Sequence, residues 1–215
     1  MKKLRTVEDL YDFLSAELAW RRIELASIRS LVATRSGSES RKNAILRCGI
    51  TILYAHWEGF CKAAGMAYLN FVAFQNLTYQ ELKNNFIALG MKKLVNDGIY
   101  SDLIENRISL VNFVRDELHT KSSLPYKDGV DTKSNLSSSV LKEIVLTLGL
   151  DYSPFEGKEK LIDEKLLKNR NAIAHGNYLL IDEDEFDAIY HQVLAMMNEL
   201  RNQIDNSANT NAFKV

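Results

Sequence analysis

Apolar residues recur along most of the chain at steps of three and four, the spacing that lines one side of an α-helix. Leu10, Leu14, Leu18, Leu25, Ile28 and Val32 keep this rule apart from one gap of seven. Thr6, with Asp9 three residues later, supplies the helix start. Arg21 stands in the gap, three after Leu18 and four before Leu25. A cation therefore falls on the apolar stripe, and it must pair inside the fold or snorkel to the surface. The run Ser36-Gly37-Ser38-Glu39-Ser40 breaks the pattern and can cap a second helix from about residue 41 to residue 74. That helix holds no proline and is apolar nearly all round, so it is expected at the centre with neighbours on most sides. Its polar residues Arg47, Thr51, Glu58 and Lys62 form one narrow seam. Gly49, Ile52, His56, Gly59 and Ala63 form another, small enough for a neighbouring helix to approach.

Further along, Thr78 and Glu81 have capping-box spacing and open a third helix through Leu82, Phe86, Leu89 and Leu94, closed by Asp97-Gly98. A fourth is expected from Ser101 to about Leu118, carrying Leu103, Ile108, Val111 and Val114. Residues 119–134 read as a polar loop with proline and glycine, and residues 137–148 as a short helix stopped by Gly149. After a second loop, Asp163 fits the N-cap of a helix whose Ile162 and Leu167 make a hydrophobic staple and whose C′ residue is Gly176. Asp182 and Glu185 open a last helix with Phe186, Ile189, Tyr190, Val193, Met197, Leu200 and Ile204 on its apolar side. No segment alternates with a period of two over a strand's length. The expectation is one all-α domain over residues 1–205, a bundle of long central antiparallel helices with extra short ones, and a frayed polar tail over 206–215.

Composition narrows the partners rather than the fold. With 46% hydrophobic and 26% charged residues in 215, the chain can bury a real core and is not a disordered segment. Net charge is −1 and the sequence pI about 6.4, so no global basic field gathers nucleic acid. RNA binding would need a local patch, and Lys158, Lys160, Lys165, Lys168 and Arg170 are the nearest candidates. Cys48 and Cys61 lie on different turns of one helix, too far apart to bridge, and two cysteines exclude a cysteine-based zinc site. No metal and no cofactor is called for. The start lacks a signal-peptide core, and Arg47, His56, Glu58 and Lys62 interrupt the longest apolar stretches. A cytoplasmic protein without a membrane partner is expected.

The chemistry concentrates in Lys168-Asn169-Arg170-Asn171-Ala172-Ile173-Ala174-His175-Gly176. Asn171 and His175 are four apart and share a helix face, while the long stem of Arg170 can swing its guanidinium toward the same place. A fixed cation, a titratable imidazole and an amide suit binding and cleavage of a phosphodiester. The plainer alternatives are a structural salt bridge for Arg170 and a helix C-terminal cap for His175. His56 reads as a core histidine beside Gly59. Glu58 reads as the neutraliser of a buried cation, with Arg21, Lys62 and Arg170 all open as its partner. Lys62 and Lys168 are candidates for substrate phosphates. A metal set of His56, Glu58 and His175 is disfavoured, because residues two apart on a helix point in different directions.

Three short runs carry a family resemblance. Arg170-Asn171 followed by Ile173-Ala174-His175-Gly176 resembles the Arg-x(4–6)-His motif of the HEPN superfamily. Tyr54-Ala55-His56-Trp57-Glu58-Gly59-Phe60 is similar to the Tyr-x-His-Trp-Glu-Gly signature of the RiboL-PSP-type branch of stand-alone bacterial HEPN proteins. Thr132-Lys133-Ser134-Asn135-Leu136 resembles the Ser-Asn segment that precedes a helix in the same group, and the order along the chain also agrees. The resemblance implies a HEPN-like helical bundle and a metal-independent endoribonuclease of toxin–antitoxin or antiphage defence. It implies His175 as acid–base group, Arg170 as phosphate clamp and Asn171 orienting one of them; the residues themselves place Arg21, His56 and Glu58 in a supporting role behind them. It further implies a homodimer that joins two copies of the motif, RNA as substrate and an antitoxin protein as partner. Some HEPN domains lack nuclease activity, so the resemblance equally admits a non-catalytic module that binds RNA, a nucleotide or a protein.

Overall fold

The computed structural model describes residues 2–33, 38–100 and 103–215. Its helices are α1 (Val7–Ala33), α2 (Glu39–Ala73), α3 (Asn84–Tyr100), α4 (Ile104–Asn112), α5 (Ser138–Thr147), α6 (Asn169–Ala174) and α7 (Glu183–Asn209). No strand occurs among the described residues, and the fold is the expected all-α, HEPN-like bundle. Among the described residues, no helix is long and apolar enough to cross a membrane.

The centre is α2, as its uniform apolarity requires. Trp57, Phe60, Tyr54 and Tyr68 are all buried in it, and α1, α7 and α6 pack around it. At Gly49 a methyl group would sit 2.6 Å from the Phe186 ring of α7, so the bare backbone is what admits that ring. The α1 stripe is buried as the spacing predicts, Arg21 included and Ile28 half-buried, and the Thr6–Asp9 pair closes its N-terminus with reciprocal bonds of 3.1 and 3.4 Å. Ser38 caps α2 by accepting the Arg41 amide. The expected break at Ser36-Gly37 and the expected helix start at Ser101 lie outside the described residues.

Several boundaries differ from expectation for local reasons. The Thr78–Glu81 box forms, but it caps a single 3-10 turn over Tyr79–Glu81, and α3 begins only at Asn84. Gly98 does not end α3, which continues to Tyr100. Beyond α4 the chain winds as a π-turn over Phe113–Glu117. The outward side of α4 carries exposed Ile104, Ile108 and Val111.

The tail is the clearest correction. Residues 206–215 are not frayed: α7 reaches Asn209, Ser207 and Ala208 are buried, and the Ser207 hydroxyl meets the Tyr68 hydroxyl at 2.5 Å. Burial pushes the Tyr68 phenol up to about 12, so it stays a neutral partner. Beyond the helix, Phe213 packs edge-on against Phe71 at 5.7 Å, and its carbonyl accepts the Lys83 amide. One aromatic side chain anchors a segment whose polar composition reads as loose.

Candidate active site

The Arg-Asn-x-x-x-His run lies on α6, but the helix beneath it begins earlier than its caps suggest. Residues Lys160–Lys168 form a π-helix that continues into α6 without a break. The wider π-turn brings Leu161 and Leu166, five residues apart, to the same buried side with Ile162 between them. Asp163, expected as the N-cap, sits inside this segment and caps a different helix. Its carboxylate accepts the Ser138 amide at 2.7 Å and the Ser138 hydroxyl at 2.6 Å, at the first turn of α5. The far end of α6 stops as expected. Gly176 takes φ +77, its amide bonds the Ile173 carbonyl, and the Asn177 amide bonds the Ala172 carbonyl, which together make a Schellman stop.

Arg170 leaves α6 toward α2. Its guanidinium carbon lies 4.2 Å from the centre of the Tyr54 ring, Nη2 donates to the Ser134 carbonyl at 3.3 Å, and Nη2 stands 3.8 Å from Glu58 Oε2. The last distance is ion-pair range but too long for a hydrogen bond, so Glu58 attracts the cation without locking it. Both side chains keep about a fifth of their surface exposed. The Tyr54 ring is buried under the arginine, and its hydroxyl accepts the Leu136 amide at 2.7 Å. Burial holds the Tyr54 phenol above its usual range, so it remains an uncharged platform. One tyrosine thus fixes both the arginine and the loop that faces it. By residue type on an apolar helix, Tyr54 reads as plain core. Its position four residues before Glu58, on the same side of the helix, was the available signal.

His175 is exposed and makes no side-chain hydrogen bond or ion pair among the described residues. Its amide bonds the Asn171 carbonyl at 3.0 Å, which confirms helical spacing between those two positions. Asn171 is half-buried, and Lys168 and Lys62 are exposed. Arg47, on the same polar seam of α2 as Glu58, donates to the Asn177 carbonyl at 2.9 Å and ties down the turn that follows His175. Lys165, named with the basic patch, instead pairs with Glu185.

The other sequence-marked residues gather on the opposite side of α2. Arg21 is buried and bonded to Glu17 on its own helix, through both the backbone carbonyl at 2.8 Å and the carboxylate. The Arg21 guanidinium is stacked 4.3 Å from the Trp20 ring and lies against Gly59. His56 is buried beside Trp20 with Nε2 3.0 Å from the Glu24 carboxylate. Burial lowers the His56 pKa, helped by Arg21 and opposed by Glu24. Of the three cations left open for Glu58, Arg170 is the one it faces, while a nearer carboxylate on α1 takes Arg21. His56 and Glu58 face different helices, so they do not converge with His175. No group of three or more metal-ligating side chains gathers among the described residues.

Between these two clusters runs the open line of α2. Cys48, Ala55 and Lys62, each seven residues on, are exposed, and so are Trp20, Ile23 and Leu31 of α1. A comparison with protein-family models matches residues 16–206 to the model described as RiboL-PSP-HEPN. Comparisons with curated proteins and with solved structures give no match.

Proposed function

The chain belongs to the RiboL-PSP branch of the HEPN superfamily, and on that footing we propose that it is a metal-independent endoribonuclease working as a homodimer. The observation that carries this reading is the contrast between its two motif side chains. Arg170 is held by Tyr54, Ser134 and Glu58 yet not locked, while the His175 imidazole is unengaged and open to solvent. An unengaged imidazole open to solvent is available to contact a substrate hydroxyl, and a positioned guanidinium suits a phosphate in its transition state.

The reaction is attack of a 2′-hydroxyl on the adjacent phosphorus. The oxygen–phosphorus bond forms as the 5′-oxygen leaves, giving a 2′,3′-cyclic phosphate and a 5′-hydroxyl end. One imidazole takes the 2′-hydroxyl proton, Arg170 stabilises the charge on the non-bridging oxygens, and a second imidazole protonates the departing oxygen. Asn171 orients the histidine four residues on, and Lys168 and Lys62 hold flanking phosphates. Because each chain brings one motif histidine, the second comes from a second copy. The open line of α2 with Trp20 and Ile23 is the surface on which that copy docks. The setting we propose is cytoplasmic, in toxin–antitoxin or antiphage defence, with an antitoxin protein as partner.

The test is cleavage of a mixed RNA panel in EDTA, with the ends identified. Wild type should leave cyclic phosphates, and Arg170→Ala and His175→Ala should lose at least a hundredfold in rate, on the order of general acid–base and charge-stabilisation effects. Intact RNA throughout, with no growth arrest on expression that His175→Ala relieves, refutes the reading. One observation favours a second reading, a non-catalytic module that binds RNA, a nucleotide or a protein: Glu58 already faces Arg170 at 3.8 Å. Binding without turnover, weakened by the same substitutions, would be its signature.

A further inference from the structure

The backbone opposite Arg170 adopts an unusual conformation. Lys133 and Ser134, neither of them glycine, take φ of 51 and 58 in succession. Left-handed residues of this kind disfavour a Cβ, and a side chain other than glycine or asparagine normally appears there only when the surroundings force it. Here they do. The Asp131 carboxylate accepts the Lys133 amide at 2.8 Å, Asn135 bonds back to the Thr132 carbonyl, and Leu136 donates to the Tyr54 hydroxyl. The result turns the Ser134 carbonyl inward onto Arg170.

The same turn leaves Lys133 exposed, with no side-chain hydrogen bond or ion pair among the described residues. Its Cα is one peptide, about 3.8 Å, from that of the residue whose carbonyl touches Arg170. A lysine stem reaches roughly 6 Å beyond its Cα, which is long enough to bring its ammonium to a phosphate next to one held by the guanidinium. Glycine would suit the backbone better at this position, and a lysine stands there instead.

From this we propose that Lys133 is a substrate-binding residue, holding the RNA phosphate next to the one that Arg170 engages, on a lip formed by residues 131–137. The inference rests on the reading of the Arg170 site as an RNA site and adds to it a cation that lies 37 residues upstream in sequence. The Asp131 carboxylate is engaged by the Lys133 backbone amide and makes no ion pair with the Lys133 ammonium among the described residues. A phosphate engaging Lys133 would enter against the loop, with Arg170 behind it and Tyr54 beneath.

The experiment is anisotropy binding of a 2′-O-methyl RNA 12-mer, which lacks the internal nucleophile, across a salt series. It compares full-length wild type with Lys133→Gly, Lys133→Asn, Lys133→Arg and Arg170→Ala. Glycine and asparagine tolerate the left-handed backbone, so these variants keep the lip while removing the ammonium. Losing one phosphate contact should flatten the plot of log affinity against log salt by about 0.7, so the deficit shrinks about two- to threefold between 50 and 200 mM salt. Lys133→Arg should keep the wild-type slope. Wild-type slopes in both Lys133→Gly and Lys133→Asn, with Arg170→Ala impaired, would overturn the role of Lys133 alone. No RNA binding by wild type would overturn the site's reading and this inference with it.

Discussion

Glu58 offers the sharpest test of the site, because it sits where a phosphate must compete. At 3.8 Å from Arg170 Nη2, the attraction is about 4 kcal/mol for an effective dielectric of 20. Water at the partly open pair and the missing hydrogen bond reduce this to a net of roughly 1 kcal/mol. RNA that engages Arg170 loses that attraction on binding. Glu58→Gln keeps the side chain's size while removing its charge, so Arg170 remains over the Tyr54 ring and binding should tighten by about fivefold, the equivalent of 1 kcal/mol. The assay is anisotropy with uncleavable RNA at fixed salt, beside the double substitution Glu58→Gln with Arg170→Ala. In the double variant the gain should vanish, since no guanidinium is left to release. Weaker binding by Glu58→Gln, or an equal gain without Arg170, refutes the competition and makes Glu58 a positioning group.

Two further outcomes test the structure around the site. Asp163→Ala removes two charge-assisted bonds to Ser138, which at bonds of 2.7 and 2.6 Å should cost about 2–4 kcal/mol and lower the melting temperature by about 5–12 °C; a melting point within 2 °C of wild type, on the order of a surface substitution, would show that α5 needs no such cap. His56, whose folded pKa lies below its ordinary 6.5 through burial, takes up its proton later than the unfolded chain does. Its contribution is therefore complete above pH 6.5 and is lost as pH falls through the lowered folded value, at up to about 1.4 kcal/mol per pH unit. Urea unfolding of wild type and His56→Gln between pH 7.5 and 5.5 should give a flatter profile for the variant, and parallel profiles would refute the assignment.

The helical pattern was legible because three- and four-residue spacing survives any detail of packing. Leu10, Leu14, Leu18, Leu25 and Val32, and Phe186 through Ile204 on the same face, are buried where the spacing puts them. What misled was reading a cap as belonging to the helix beside it in sequence. Asp163 resembles an N-cap by type and spacing, yet a carboxylate satisfies whichever orphan amides lie in reach, and those of α5 lie across space. The tail misled for a related reason: its average polarity says nothing about where the single ring of Phe213 goes.

At the site, the residues on α6 and α2 were visible as types, but their partners were decided by which side of α2 each one faces. His56 and Glu58 stand two apart and so turn to different neighbours, one to Glu24 on α1 and the other to Arg170 on α6. Arg21 had its partner four residues earlier on its own helix, at a spacing readable from sequence alone, although its burial made a partner on another helix the natural guess. The Ser134 carbonyl was not readable, because a backbone acceptor has no residue type and its direction here depends on two left-handed residues in a polar loop. Those two residues and the π-helix before α6 act together. The π-helix delivers Arg170 to the Tyr54 face while the loop returns a carbonyl from the other side, so the guanidinium is held by a ring and a backbone oxygen. Neither of these is a full negative charge, and the Glu58 carboxylate stands 3.8 Å from Nη2, near enough to attract the cation and too far to hydrogen-bond it.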